Sequence, residues 1–313
     1  MTLPTIYYLS QFKVDHFFKV IFGFLFLFSF YLLYLGVNLN FDRDAFSYFF
    51  NPVISYDIGF ISLSIILLCY SFYDRTKLSY LYLFFSLVVM FLLILHGSRG
   101  TWVGLPFVFF GLIFFYYKTQ IKKIFIMIAL VLIFTLTNLM LPNSPILKRV
   151  DNLQEDTLQI TNNNYQNSSG LRLYMWKNAI SYFKSSPIFG VGLYEIEAKN
   201  CELNKQGKLP TCFQHLHSIY FNELAAHGLF GIFGLFLTFF SSLIFFIKNI
   251  FNKEGLIKNI SISGCVFVVY YMFCGLTEYY LFFLNTTYLF YWIVASLMSF
   301  IIIGSRVSIA KKL

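Results

Sequence analysis

Three side chains of the 313-residue sequence have the chemistry to handle an anionic leaving group and an attacking hydroxyl: Arg99, Arg172 and His217. Arg99 stands in His96-Gly97-Ser98-Arg99-Gly100, a turn between two apolar runs with no acid in the neighbouring sequence. A guanidinium is permanently charged and forks onto phosphate oxygens. An arginine at the end of an apolar run can equally snorkel to a membrane interface. Arg172 begins a segment in which Trp176 follows four residues later, and a basic surface helix is the plainer reading of it. Two arginines facing one aqueous layer would suit a diphosphate, whose charge grows as it departs. His217 lies in Gln214-His215-Leu216-His217-Ser218, at the entrance to another apolar run. Imidazole is the side chain best suited to accept a proton near neutral pH, although histidine is also a common interfacial residue.

Other polar groups are candidates with competing readings. Glu278, near the outer end of a later run, could orient an acceptor or mark a helix end, and His215 is a second candidate on the acceptor side. His215 with His217, and Glu223 with His227, offer two metal ligands each, short of the three or four a zinc site needs, and their order is not HExxH. Asp42-Arg43-Asp44 is a DxD-like pair that could bind a divalent cation or form a solvated turn. No metal is expected. Nor is a nucleotide cofactor, since neither GxGxxG nor GxxxxGK[ST] occurs.

The elements that must position these groups follow from composition. The chain is 58% hydrophobic and only 12% charged, against about 25% charged in an average soluble domain, and its mean hydropathy is +0.69. Uncharged runs of about 20 residues are long enough to cross a bilayer core. The pattern predicts an all-α polytopic membrane protein with eight spans, near residues 17–37, 53–73, 78–96, 101–117, 121–141, 219–247, 260–278 and 286–303. The first is expected to be an uncleaved span.

With the N-terminus inside, the cytoplasmic segments hold 13 of the 23 basic residues and 3 of the 14 acidic ones; the other side keeps 10 basic and 11 acidic. This satisfies the positive-inside rule. The net charge of +9 is therefore topological and implies no nucleic-acid partner. Three parts result: spans one to five (1–141), a large extracytoplasmic loop (142–216), and spans six to eight (217–313).

Long loops concentrate function. The first part of this one, residues 151–170, is polar and Asn-rich and is expected to be mobile. From Leu171 the spacing of Leu173, Trp176, Ile180 and Phe183 predicts an amphipathic helix on the membrane, ended by Pro187. Cys201 and Cys212 share this loop, which in a bacterium would face an oxidising periplasm, so a disulfide is expected between them. Cys69, Cys265 and Cys274 fall in spans and read as small apolar residues.

Taken together, these residues resemble the bacterial O-antigen ligase family, within the ligase/polymerase superfamily of membrane glycosyltransferases. His217-Ser218, nine residues, Gly228, two residues and Gly231 are similar to the family's His-[Asn/Ser/Gln]-x9-Gly-x2-[Gly/Thr/Tyr] signature. Ser98-Arg99-Gly100 followed by Trp102 resembles the upstream motif. Arg172-x3-Trp176 leading to Pro187-x2-Gly190-x-Gly192 resembles the loop motif. The resemblance spans roughly residues 80–285.

It implies a GT-C-like, metal-independent, inverting transferase in the bacterial inner membrane, working on its periplasmic side with both termini cytoplasmic. The enzyme would move a glycan from undecaprenyl pyrophosphate to lipid A–core. Arg99 and Arg172 would hold the pyrophosphate, and His217 would activate or orient the acceptor hydroxyl. Family members usually have about twelve spans, so N-terminal helices are expected to be missing here. Where ligases often carry Leu, Trp176 is a form shared with O-antigen polymerases, which makes polymerase the alternative. Protein O-oligosaccharyltransferase comes next, and then a transporter for the same lipid-linked sugar.

Overall fold

A computed structural model describes residues 14–95, 98–140, 144–162, 164–253 and 255–310, with the side chains of 43, 44, 252 and 306–310 outside the description. Among the described residues the regular structure is helical, and eight helices are long and apolar enough to cross a membrane. The spanning helices are α1 (Val14–Asn38), α2 (Val53–Tyr73), α3 (Leu78–Leu95), α4 (Leu105–Tyr116, preceded by a short turn Arg99–Trp102) and α5 (Ile121–Leu139). After the connecting segment come α9 (Ile219–Asn252), α10 (Gly255–Cys274) and α11 (Leu284–Ala310). Each coincides with an expected span. The connecting segment itself contains α6 (Pro145–Thr161), α7 (Ser168–Ser185) and α8 (Leu193–Lys205).

Helices α2 and α10 form the centre of the bundle. They pack on each other, with α1 and α3 against α2, and with α4, α9 and α11 against α10. Their burial explains why they are apolar all round, whereas α5 and α9 leave much of their apolar surface outward, as lipid-facing helices do. Two polar side chains tie the spanning helices together. Asn259 donates to the Cys69 carbonyl at 2.9 Å and to the Tyr116 hydroxyl, tying α10 to α2 and α4. Lys123 donates to the carbonyls of Ser71 and Asp74, fastening the start of α5 to the end of α2.

The connecting segment departs from expectation at one place. Residues 151–161, expected to be mobile, continue α6, because local signals outweigh the Asn-rich composition. Ser144 Oγ accepts from the Leu147 N–H at 3.2 Å, Pro145 sits in the first turn, and both are strong helix-start features. Val150, Leu153, Thr157 and Ile160 then recur at three and four. Helix α7 forms where its spacing predicts. It is capped by Asn167 and buries Gly170, Met175 and Ala179. A second small core of Met175, Ala179, Ile196, Leu209, Leu216, Ala225 and Ala226 joins it to α8 and the start of α9. The expected apolar stripe lies on its other side, with Leu173 and Ile180 exposed.

Candidate active site

The His217 turn is held from three directions. Trp176 of α7 donates its indole N–H to the Leu216 carbonyl at 3.1 Å and stacks on Phe221 at 5.1 Å between ring centres. Asn222 accepts from the Leu216 N–H. The Ile219 N–H and the Ser218 hydroxyl both donate to the Gly275 carbonyl beyond α10. Under these constraints His217 adopts φ 48°, a left-handed conformation that side-chain-bearing residues rarely take and that clusters at functional sites.

The glycines downstream have a related purpose. Helix α9 is broken at Gly228, where φ is 62° and ψ is −146°. The Pro187–Gly192 segment docks into the break: Leu229 N–H donates to the Pro187 carbonyl at 2.9 Å, while Val191 and Gly192 N–H donate to the Ala225 and Ala226 carbonyls at 2.8 and 2.9 Å. A Cβ on Gly228 would lie 2.5 Å from the Pro187 oxygen, and one on Gly190 would lie 2.3 Å from the Ala226 carbonyl carbon. The two glycine patterns, about 40 residues apart, are therefore the two halves of one backbone clamp.

Within this frame His217 Nδ1 lies 3.1 Å from Glu278 Oε1. Burial pushes the Glu278 carboxyl up, but its hydrogen bond to His217 and the charges of His217, His215 and Arg172 outweigh that and hold it down to about 2. An ionised carboxylate only accepts, so His217 donates through Nδ1; in the neutral ring this makes Nε2 the acceptor. Arg172 faces the other carboxylate oxygen at 3.8 Å. His215 is buried against Tyr279, Phe282 and Phe283. Burial first, then His217 and Arg172, lower it to about 4 despite Glu278, so it is neutral at physiological pH. Its Nδ1 accepts from the His217 N–H at 3.3 Å. Glu278 and His215 thus both stand behind His217 and support it.

Beside this pair opens a cavity of about 610 Å³ lined by Arg99, Arg149 and Arg172 and by the apolar side chains of Trp102, Val150, Leu153, Leu173 and Trp176, with Thr277 at the wall next to Glu278. Arg99, whose neighbouring sequence holds no acid, is paired with Asp156 of α6 at 3.3 Å. Asp156 is also bonded by the Ser169 hydroxyl at 2.7 Å, which draws α6 and α7 together around the cavity. Arg149 and Asp156 were missed by sequence reasoning; reading α6 as a helix would have placed both, with Leu153, on one face.

The other candidates fall as follows. Asp42 caps the short helix Arg43–Ser47 through the Ala45 N–H; the Asp44 side chain and His96 lie outside the described residues. Glu223 pairs with His227 at 2.8 Å and accepts from the Tyr279 hydroxyl. Cys201 and Cys212 are joined in a disulfide. His215, His217 and Glu278 each offer a ligand atom within 4.8 Å of the others. Glu278 supplies the third ligand that sequence reasoning found wanting, so this trio could hold a cation.

Residues 81–236, about half of the chain, match the family model described as O-antigen ligase. The chain is 32% identical to an uncharacterized protein of Haemophilus influenzae over 224 residues, covering 69% of this chain and 56% of the relative. It is 27% identical to the O-antigen ligase of Escherichia coli K12 over 175 residues, covering 54% of this chain and 42% of the relative. The chain spans about half the length of the curated relatives it matches.

Proposed function

The chain belongs to the O-antigen ligase family, and from that premise we propose that it transfers a glycan from undecaprenyl pyrophosphate to lipid A–core. The observation that carries the reading is the adjacency of an arginine-lined apolar cavity to the His217–Glu278 pair. Lipid-linked diphosphate needs both kinds of surface at once: guanidiniums for the phosphates and an apolar wall for the chain that leaves with them.

On this reading Arg99 and Arg172 hold the diphosphate, and Arg99 exchanges Asp156 for phosphate when donor binds. An acceptor hydroxyl gives its proton to His217 Nε2 and its oxygen attacks the anomeric carbon. The bond from that carbon to the phosphate oxygen breaks on the opposite face, and the electron pair leaves with the lipid diphosphate. Configuration inverts in the single displacement. Glu278 steadies the imidazolium as it forms. The arginines supply the charge that a metal would otherwise bring, so the reaction needs no divalent cation. The loop-bearing face is then periplasmic, in the inner membrane.

The same site would serve a polymerase, the reading that Trp176 favours by resemblance. The glycan profile of a deletion strain separates the two. Polymer absent from lipid A–core, with lipid-linked polymer accumulating, is the expected result. Capping by single repeats would replace the ligase reading with polymerase, and an unchanged profile with a glycoprotein left bare would replace it with protein O-oligosaccharyltransferase.

A further inference from the structure

A second cavity, of about 320 Å³, opens on the same face as the His217 site, between the turn after α1 and the first turns of α6. Its walls carry Asn40, Asp42, Lys148, Arg149, Asp151 and Asn152, with the Phe41 ring beside them. Two amides, two carboxylates and two cations give it no net preference for an anion or a cation, and its lining offers little for a lipid chain. Amides that both donate and accept, carboxylates that accept and cations that donate, next to one aromatic residue, are what a ring of hydroxyls bonds to.

The walls are built before any ligand arrives. Asn40 and Phe41 hold left-handed φ of 49° and 53°. The Phe41 N–H donates to the Gly36 carbonyl at 2.9 Å, and the Phe41 ring lies directly over Gly36. The facing wall is the capped start of α6. Arg149 lines this cavity and the larger one alike, so the two lie side by side.

Resting on the donor reading above, we propose that this polar cavity is a saccharide subsite that holds the donor glycan beyond the sugar joined to the diphosphate. The chemistry it recognises is an uncharged oligosaccharide. Such a chain has two sources here, donor and acceptor, and Arg149, shared with the cavity proposed for the diphosphate, assigns it to the donor.

The test compares two synthetic lipid-diphosphate donors, one with a single sugar and one with a full repeat unit, on wild-type protein and on Asn152→Ala and Asp151→Ala. Both side chains are exposed, so the substitutions leave the fold intact. Loss of one or two hydrogen bonds should raise KM for the longer donor about tenfold while KM for the single-sugar donor and both kcat values stay within about twofold. Equal effects on the two donors, or no effect on either, would overturn the subsite. A raised KM for lipid A–core with donor KM unchanged would overturn its assignment to the donor. Binding of the free repeat-unit oligosaccharide is followed in parallel by saturation-transfer NMR. If wild-type protein transfers nothing, the function proposed above fails, and this readout alone decides: a signal lost in Asn152→Ala supports the subsite, and none with wild type refutes it.

Discussion

At the scale of single residues the account turns on how charge is arranged around one imidazole. With Glu278 ionised down to about pH 2 and His215 neutral above about pH 4, neither changes charge between pH 5 and 8. His217→Gln should lower kcat on the order of 10²- to 10⁴-fold, because no imidazole remains to accept the hydroxyl proton; turnover of the purified variant is the check. Glu278→Gln should reduce kcat strongly with little change in donor KM, since the amide no longer stabilises the imidazolium. His215 carries a separate stability consequence. Its folded value lies below the ordinary 6.5, so the unfolded chain binds the extra proton first, and stability falls as pH drops from about 6.5 toward 4. Thermal melting of wild type over that range should show the drop, and His215→Gln should reduce its slope.

At the scale of elements, the clamp between Pro187–Gly192 and the break in α9 sets where His217 enters the bundle. Gly228→Ala places a methyl in left-handed backbone against the Pro187 carbonyl and should cost about 1–3 kcal/mol, lowering the melting temperature and, by displacing the His217 turn, activity as well. A variant with wild-type melting and turnover would show that the clamp is dispensable. The Cys201–Cys212 bond closes the later part of α8 onto the segment that leads to His217 and should stabilise that loop by roughly 2–3 kcal/mol on chain-entropy arithmetic. Free labelling of both thiols under non-reducing, denaturing conditions, in protein made in an oxidising compartment, would show that bond absent.

At the scale of the whole molecule, what could be read in advance divides by range of interaction. The eight spans were legible because each is a local property of twenty residues, and hydrocarbon thickness filters them without reference to partners. Helix α7 was legible from its period. Helix α6 was not, because the asparagines around it were weighed above the Ser144-Pro145 start and the spacing of Val150, Leu153 and Ile160. Arg99, Arg172 and His217 stood out by type and position. Their partners did not: Asp156 is 57 residues from Arg99 and Glu278 is 61 residues from His217, and no local pattern encodes a contact of that separation. The glycines were visible as a motif, but their meaning as two halves of a clamp exists only in three dimensions.

On the proposed reading two arginines and a histidine, without a divalent cation, carry out the transfer. It is tested by assaying the purified protein with lipid-linked glycan donor and lipid A–core in the presence of EDTA, beside Arg99→Ala and Arg172→Ala at equal abundance. Full transfer by wild type in EDTA is expected, with a loss on the order of 10²- to 10³-fold for each alanine variant and little recovery by Arg→Lys, because a point charge replaces a fork. Activity abolished by EDTA and restored by Mg²⁺ or Mn²⁺, with near-normal transfer by either alanine variant, would contradict it.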